Sequence, residues 1–533
     1  MRRSSTLLLA FALSACQGLI GDDPDPGTDP EASPEGACQV DGALSVPMQR
    51  INLAQFQQVA TELFGSGLTF SGSYPAPLQG SPFSTYAAAN PLADAEVGEV
   101  MEATEAVAMQ VVDRLPACSG DERACASDYL TDLMGRAFRR PVKPEELSIA
   151  LDLYDTARAD MDHAESLGVA VFGVLQMPQF LYVLEDLPAA GERKDLDGLE
   201  IAQRLALVLW DGLPDDELLA AAAEGKLANA EERRAQATRM LGDARAARTV
   251  SNFLREWLKV KDFRASVHEP ELQDALEEEL RRDLADALAA PDGLSELFTS
   301  SHTHVNSVLE GFYGLPTTST GPDDWHEVDL PAEQRVGILT HPLLMARFAH
   351  GDAPSSILRG QFVRVNLLCG NIPPPPAGAA DVQAELTPSG ATPREQAQAR
   401  LDHPTCGSCH QQMDPIGFGF EAFDGAGRYL PTIDGQPVDD AGQINAPSTL
   451  EGSFSGVREL GEKLAASEEA RACFARQWLR YSLGKEETDK DERCTMATVS
   501  ASMLEGGQSQ TLMGILASGP ATAAFVARFQ EEN

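Results

Sequence analysis

Two thiols and an imidazole stand within five consecutive residues in the run Cys406-Gly407-Ser408-Cys409-His410. In a C-x-x-C-H pattern the two thiols reach the vinyl groups of a porphyrin, and the histidine ligates its iron. Nine cysteines and nine histidines among 533 residues would produce roughly 0.003 such runs per chain by random placement. The sequence therefore predicts a single haem c attached at Cys406 and Cys409, with His410 as the iron ligand.

The same residues allow two other interpretations. Cys406 and Cys409 could close as a disulfide in an oxidising compartment. They could also bind another metal, although a structural zinc site requires a second ligand pair and the neighbouring sequence contains no convincing one. The low chance expectation favours haem over both alternatives.

The second axial ligand of the iron is not specified by spacing. Met413 follows His410 by three residues, so on one helix the two side chains would share a face and could not ligate opposite sides of a porphyrin. A C-x-x-C-H-x-x-M run resembles the first haem site of small membrane-bound quinol-dehydrogenase cytochromes, where the nearby methionine is the ligand, and Met413 is therefore a minor candidate. The other candidates are His403, His341, His350, Met345, Met496 and Met503.

The second axial position decides which redox chemistry the haem could support. An open position would allow peroxide or oxygen activation by a haem-dependent oxidoreductase, whereas a closed one would leave electron transfer alone. The sequence does not decide between an enzyme and an electron carrier. A hydrolytic enzyme is disfavoured, because the chain has no G-x-S-x-G, H-E-x-x-H or P-loop run.

The N-terminal residues predict export and lipidation. Arg2 and Arg3 precede an apolar run at residues 7–13, and Leu13-Ser14-Ala15-Cys16 has the form of a lipobox. We expect a signal peptide at residues 1–15 and a lipid anchor on Cys16 that holds the protein at a membrane surface. Gln17 follows the cysteine, and the lack of an aspartate there favours the outer membrane, at its periplasmic face or at the cell surface.

The cysteines outside the lipidation and haem sites form an even set. In an oxidising compartment they are disulfide candidates, and six cysteines allow fifteen pairings. The local choices are Cys118 with Cys125 and Cys473 with Cys494, and elimination then pairs Cys38 with Cys369.

The charge of the chain excludes one class of partner. A formal net charge of -40, from 81 acidic and 41 basic residues, would repel phosphate backbones at long range. Nucleic acid is therefore not expected as a partner, and the acidity is interpreted as a well-solvated exterior.

The elements that must position the C-x-x-C-H motif and the other cysteines are predicted to be mostly helical. Apolar residues recur at helical spacing through most of the chain, and Asp434-Gly435 between short β-prone runs predicts one small hairpin after the haem motif. A chain of this length should form several consecutive units. We predict a signal peptide (1–15), a lipidated disordered linker (16–47), helical units at 48–117, 118–190 and 195–325, a haem-motif unit (331–432) and a C-terminal helical unit (433–533).

Several of these runs together resemble a known family. Residues 405–428 (TCGSCHQQMDPIGFGFEAFDGAGR), preceded by Leu358-Arg359-Gly360 and by four prolines at 373–376, resemble the cytochrome-like multidomain proteins of planctomycete type, a fused series of domains of unknown function. Residues 137–141 (AFRRP), 199–213 (LEIAQRLALVLWDGL) and 481–485 (YSLGK) resemble the second, third and last domains of that series. The resemblance implies a mostly helical, secreted protein with a haem-like site, and it implies no substrate or reaction.

The leading hypothesis is an exported lipoprotein with a single c-type haem, active in electron transfer or another redox reaction at the cell envelope with a redox partner that the sequence does not identify. The alternative is a non-catalytic envelope protein for binding or assembly, in which Cys406 and Cys409 form a disulfide.

Overall fold

The computed structural model describes residues 44, 46, 48–70, 74–186, 188–189, 192–376, 378–379, 382, 386, 392–433, 435–487, 490–505 and 511–529. The predicted signal peptide, Cys16, Cys38 and nearly all of the 16–47 linker lie outside these residues. The prediction of a mostly α fold is confirmed, since helices dominate the described residues and the strands are short.

The first six helices share one hydrophobic core. They are α1 (Leu53–Phe64), α2 (Asp94–Val111), α3 (Glu122–Ala137), α4 (Pro144–Ala157), α5 (His163–Gln176) and α6 (Pro178–Leu181). Helix α1 begins at Asn52, whose side chain accepts a hydrogen bond from the backbone N–H of Gln55, as expected of an N-cap residue. Its buried residues recur at helical spacing and pack into this core (Phe56, Val59, Ala60 and Leu63).

A second, larger core unites most of the described residues after Leu196. The helices of this part of the chain are α7 (Gly198–Trp210), α8 (Asp216–Ala223), α9 (Ala230–Leu241), α10 (Ala244–Trp257), α11 (Pro270–Ala289), α12 (Gly293–Thr299), α13 (Ser307–Tyr313), α14 (Pro342–Arg347), α15 (Ser356–Phe362, continued by a π-helical turn at Val363–Leu367), α16 (Pro393–Asp402), α17 (Gly407–His410), α18 (Asp414–Gly417), α19 (Gly456–Ala465), α20 (Glu468–Leu483), α21 (Lys490–Ser502), α22 (Leu512–Ser518) and α23 (Ala523–Val526). Phe253 and Trp257 of α10 are fully buried in it against Phe474 of α20. These aromatic residues are therefore part of the core.

The described strands form six antiparallel pairs. They are β1 (Gln49–Arg50) with β2 (Tyr182–Val183), β3 (Arg193–Asp195) with β12 (Ala527–Phe529), β4 (His302–Val305) with β5 (His326–Asp329), β6 (Ala349–His350) with β7 (Ala353–Pro354), β8 (Thr432–Ile433) with β9 (Gln436–Pro437), and β10 (Ala441–Ile444) with β11 (Gly452–Ser455). The β8–β9 pair is the predicted hairpin. The other five pairs were not predicted, because strands of two to four residues are too short to show a period-2 pattern.

The disulfides differ in part from the predicted pairs. The local Cys118–Cys125 bond is present. Cys473, however, is bonded to Cys369 across a sequence separation of 104 residues, so the predicted Cys473–Cys494 and Cys38–Cys369 pairs are wrong. Cys494 is itself disulfide-bonded. Packing of the π-helical turn after α15 against α20 brings Cys369 to Cys473, which proximity in sequence could not reveal.

Within the described residues, every helix is too short or too polar to cross a bilayer.

Candidate functional site

The C-x-x-C-H run forms one helical turn at the surface. The backbone N–H of His410 donates to the carbonyl of Cys406 at 3.0 Å, and the N–H of Gly407 donates to the carbonyl of His403 at 2.8 Å. A Cβ atom on Gly407 would lie 2.6 Å from the carbonyl oxygen of Leu401. Glycine at this position therefore lets the turn pack closely against the end of α16.

Both motif thiols are free. Cys406 and Cys409 are half-buried and are not bonded to each other, in contrast to the disulfide alternative. Both cysteines are thus partly exposed on one helical turn.

His410 is oriented by a buried carboxylate. Its Nδ1 lies 2.9 Å from Oδ1 of Asp414, which is fully buried. The other oxygen of Asp414 accepts a hydrogen bond from Nε of Arg400 at 3.0 Å, and Arg400 is only 5% exposed. This chain of contacts fixes the ring of His410 through Nδ1 and leaves Nε2 as the nitrogen for a metal, an arrangement that is usual for metal-binding histidines.

The backbone around Asp414 is held by close approach of two helices. A Cβ on Gly360 of α15 would lie 1.9 Å from the carbonyl oxygen of Met413, and a Cβ on Gly417 would lie 1.8 Å from that of Ser356. Both positions therefore require glycine, and helices α15 and α18 are in backbone contact there. This contact explains why the Leu358-Arg359-Gly360 run and the motif belong to one structural unit.

Arg359 connects α15 to the segment that follows the motif. Its guanidinium donates to the carbonyl oxygens of Phe420 at 3.0 Å, Phe423 at 2.7 Å and Asp424 at 2.7 Å. Burial lowers the pKa of Arg359 to about 9. Phe420 and Phe423 are each 1% exposed and lie in the large core, so these aromatic rings pack as core residues.

The candidate second axial ligands fall into two groups. His403 and Met413 lie beside the motif: Nδ1 of His403 accepts from the backbone N–H of Cys406 at 3.3 Å, and Met413 is buried. The others are not brought to the motif by any contact among the described residues. Met345, Met496 and Met503 are in the large core, His341 contacts Glu279, and His350 is exposed on β6.

A buried charge network lies in another part of the same core. Glu279 of α11 is fully buried; it forms an ion pair with Arg335 and accepts hydrogen bonds from the hydroxyls of Thr303 at 2.6 Å and Tyr313 at 2.9 Å. Nε2 of His341 lies 3.3 Å from its second oxygen. Burial would raise the pKa of Glu279, but the charges of Arg335 and His341 outweigh it and hold this pKa below its usual value. This network could not be predicted from the sequence, since its members are far apart along the chain and have no characteristic spacing.

Four family models match consecutive parts of the chain, and all four are described as protein of unknown function. DUF1595 matches residues 125–185, DUF1592 residues 196–315, DUF1588 residues 335–432 and DUF1585 residues 451–520. The C-x-x-C-H run lies inside the third of these matches. No curated protein and no solved structure matches the chain.

Proposed function

Because the chain carries four domains of the planctomycete-type cytochrome-like series, we propose that it is an exported lipoprotein with a single haem c that transfers electrons at the cell envelope. Cys406 and Cys409 attach the haem, and His410 ligates its iron. The lipid on Cys16 holds the protein at a membrane surface, the outer membrane being favoured by Gln17. The partner is a redox protein or small redox molecule of the envelope.

One observation carries this proposal: two free thiols share a helical turn with a histidine whose Nδ1 is already bonded to Asp414. A disulfide or a core packing role would not require an oriented imidazole beside the sulfurs. The donor set fits haem c, because thioether formation needs reduced thiols and iron ligation needs a free ring nitrogen. Bound haem iron supplies one-electron oxidation and reduction.

The residues of the chain would have separate tasks around such a group. The two thiols would form the covalent attachment to the haem. Nε2 of His410 would ligate the iron, while Asp414 holds the imidazole ring in place through Nδ1. Arg400 compensates the charge of Asp414 in a region from which water is excluded.

The test is covalent haem attachment. The full chain is produced in a bacterial host with cytochrome c maturation machinery, and the purified protein is run on a denaturing gel and stained for haem peroxidase activity. We expect the wild-type band to stain, and the Cys406→Ser and Cys409→Ser double variant to lose the stain. A Cys118→Ser and Cys125→Ser double variant, which also lacks two cysteines, should keep it.

A colourless wild-type protein from a competent host would contradict the proposal and leave the binding or assembly function. If haem is attached, visible and resonance Raman spectra determine which redox role applies. A six-coordinate low-spin spectrum in both oxidation states restricts the protein to electron transfer, whereas a five-coordinate spectrum indicates an oxidoreductase that activates peroxide or oxygen.

A further inference from the structure

Strands β4 and β5 and helix α11 bring two histidines and several carboxylates together at the surface of the second core. His302 and His304 are two residues apart on β4, and the antiparallel register places Asp329 opposite His302 and Glu327 opposite His304. Asp283 and Asp286 lie one turn apart on α11. None of these residues belongs to the C-x-x-C-H site.

The two imidazoles have the same arrangement of partners. Nδ1 of His304 lies 3.1 Å from Oδ1 of Asp283, and Nδ1 of His302 lies 3.5 Å from Oδ1 of Asp329. Each ring is thus contacted by a carboxylate through Nδ1. The hydrogen bond to Asp283 fixes the tautomer of His304 and makes its Nε2 the more basic nitrogen, as is usual for histidines that bind metal.

The two Nε2 atoms have the carboxylate of Glu327 as a shared neighbour. Nε2 of His304 lies 3.6 Å from Asp286 Oδ2 and 3.8 Å from Glu327 Oε1, and Nε2 of His302 lies 3.7 Å from the other oxygen of Glu327. These distances exceed those of good hydrogen bonds. They are close to the separation of about 3.3 Å expected between two ligands of one tetrahedral ion with bonds of about 2.0–2.1 Å.

We infer that Asp286, His302 and His304 bind a divalent transition-metal ion of the Zn²⁺ type, with Glu327 as the outermost ligand. The ligand atoms of the first three residues all lie within 4.8 Å of one another, so small side-chain rotations bring them to bonding distance. Asp283 is a positioning residue, since its Oδ1 holds His304 and its Oδ2 lies 2.9 Å from the hydroxyl oxygen of Thr303. The inference is independent of the proposed haem.

The ligand types select the class of ion. Two imidazole nitrogens with carboxylate oxygens suit Zn²⁺ and its transition-metal neighbours, whereas Ca²⁺ and Mg²⁺ prefer sites made only of oxygen. The side chain of His304 is 10% exposed, against 35% for His302 and 47% for Asp286. The site is therefore anchored on a buried residue and open to solvent on one side.

A neighbouring group of side chains could also hold a metal ion, but a guanidinium already occupies it. Glu279, Asp283 and His341 also bring their ligand atoms close together. The guanidinium of Arg335, however, already contacts Glu279 there, and a second cation beside it would be repelled in the buried interior. The ion is thus expected only at the group formed by Asp286, His302 and His304.

The test uses Zn²⁺ and Co²⁺ on the full, untagged chain. The Cys406→Ser and Cys409→Ser background removes the free thiols, which would bind Zn²⁺ themselves. After treatment with a chelator, calorimetric titration with Zn²⁺ should show one ion bound per chain, and Co²⁺ should give the intense visible bands of a four- or five-coordinate site. His302→Ala and Asp286→Asn, both at partly exposed positions, should each weaken binding at least tenfold.

Two further variants make the result specific. Asp283→Asn should weaken Zn²⁺ binding by about 10–100-fold, the usual effect of losing the partner of a metal-binding histidine. His350→Ala removes an exposed histidine of another hairpin and should leave binding unchanged. The inference is overturned if the background protein shows no saturable Zn²⁺ binding, or if His302→Ala and Asp286→Asn, folded by circular dichroism, bind as tightly as the background protein.

Discussion

The carboxylate of Asp414 bridges His410 and Arg400: its Oδ1 lies 2.9 Å from Nδ1 of His410, and its Oδ2 lies 3.0 Å from Nε of Arg400. The carboxylate is fully buried, so its charge is stable there only because both partners are present. The orientation of His410 and the stability of the surrounding helices therefore depend on the same residue.

Asp414→Asn should destabilise the protein. The substitution leaves the guanidinium of Arg400 buried without a counter-charge, and such a loss costs about 3–5 kcal/mol. The measurement is the free energy of unfolding by chemical denaturation. The double variant Asp414→Asn and Arg400→Met removes both charges and should recover much of the loss. If the free energy of unfolding changes by less than about 1 kcal/mol in the single variant, the buried pair does not contribute to stability in this way.

The same substitution should change the redox properties of a haem-loaded protein. An anionic partner at Nδ1 increases the basicity of the iron-binding imidazole, which favours the ferric state. Asp414→Asn should therefore raise the midpoint potential in a redox titration followed by visible absorption. Asp402→Asn is the matched control, since Asp402 is exposed at the end of α16 and accepts from Gln398. Equal potentials in wild type and Asp414→Asn would contradict this role of Asp414.

The Cys369–Cys473 bond should contribute more to stability than the Cys118–Cys125 bond. The two bonds span sequence separations of 104 and 7 residues, and cross-linking a longer loop removes more entropy from the unfolded chain. Replacement of both cysteines by alanine should cost about 5 kcal/mol for the first pair and about 2 kcal/mol for the second. Denaturation of both variants under oxidising conditions measures the difference, and the reverse order would contradict the loop-entropy argument.

Asp211 should make stability fall as the pH rises through the acid range. Burial raises the pKa of this carboxyl to about 6, against roughly 3.9 in an unfolded chain. The favourable contribution of its neutral form is complete below about pH 4 and is lost as the pH rises through 6. Asp211→Asn removes this loss, so the stability of the variant relative to wild type should rise by about 3 kcal/mol between pH 4 and pH 8.

Asp215→Asn is the matched control for that measurement. Burial opposes ionisation of Asp215, but its hydrogen bonds from Arg239 and from the backbone of Leu218 prevail and lower its pKa. This group contributes stability above its unfolded pKa and loses it as the pH falls, so the relative stability of the variant should change with pH in the opposite direction. Parallel pH profiles for the two variants would contradict both assignments.

Local patterns predicted the local features of this fold. The helical spacing of apolar residues, the Cys118–Cys125 bond and the β8–β9 hairpin each depend on residues within about one helical or hairpin length, where periodicity and turn residues are informative. The motif turn at Cys406 also forms within five residues, and its spacing alone was sufficient to identify the thiols and His410 as a unit.

The features that the sequence did not predict depend on contacts between distant segments. Glu279 meets Arg335 only because α11 packs beneath β4 and the turn before α14, and Cys369 meets Cys473 through packing of two helical segments. In the sequence, Asp414 is one of several acidic residues after the motif. Its contact with His410 depends on the burial of its side chain and on the approach of Arg400 from α16, which the sequence does not show.

Strand β12 pairs with β3, and Arg528 on that strand forms an ion pair with Glu185 while it is fully buried. A polypeptide is synthesised from its amino end. Among the described residues, strand β3 therefore has no partner strand, and Glu185 has only Arg204 as its counter-charge, until residues 527–529 have been made. Pairing of β3 with β12 thus follows synthesis of the whole segment between them.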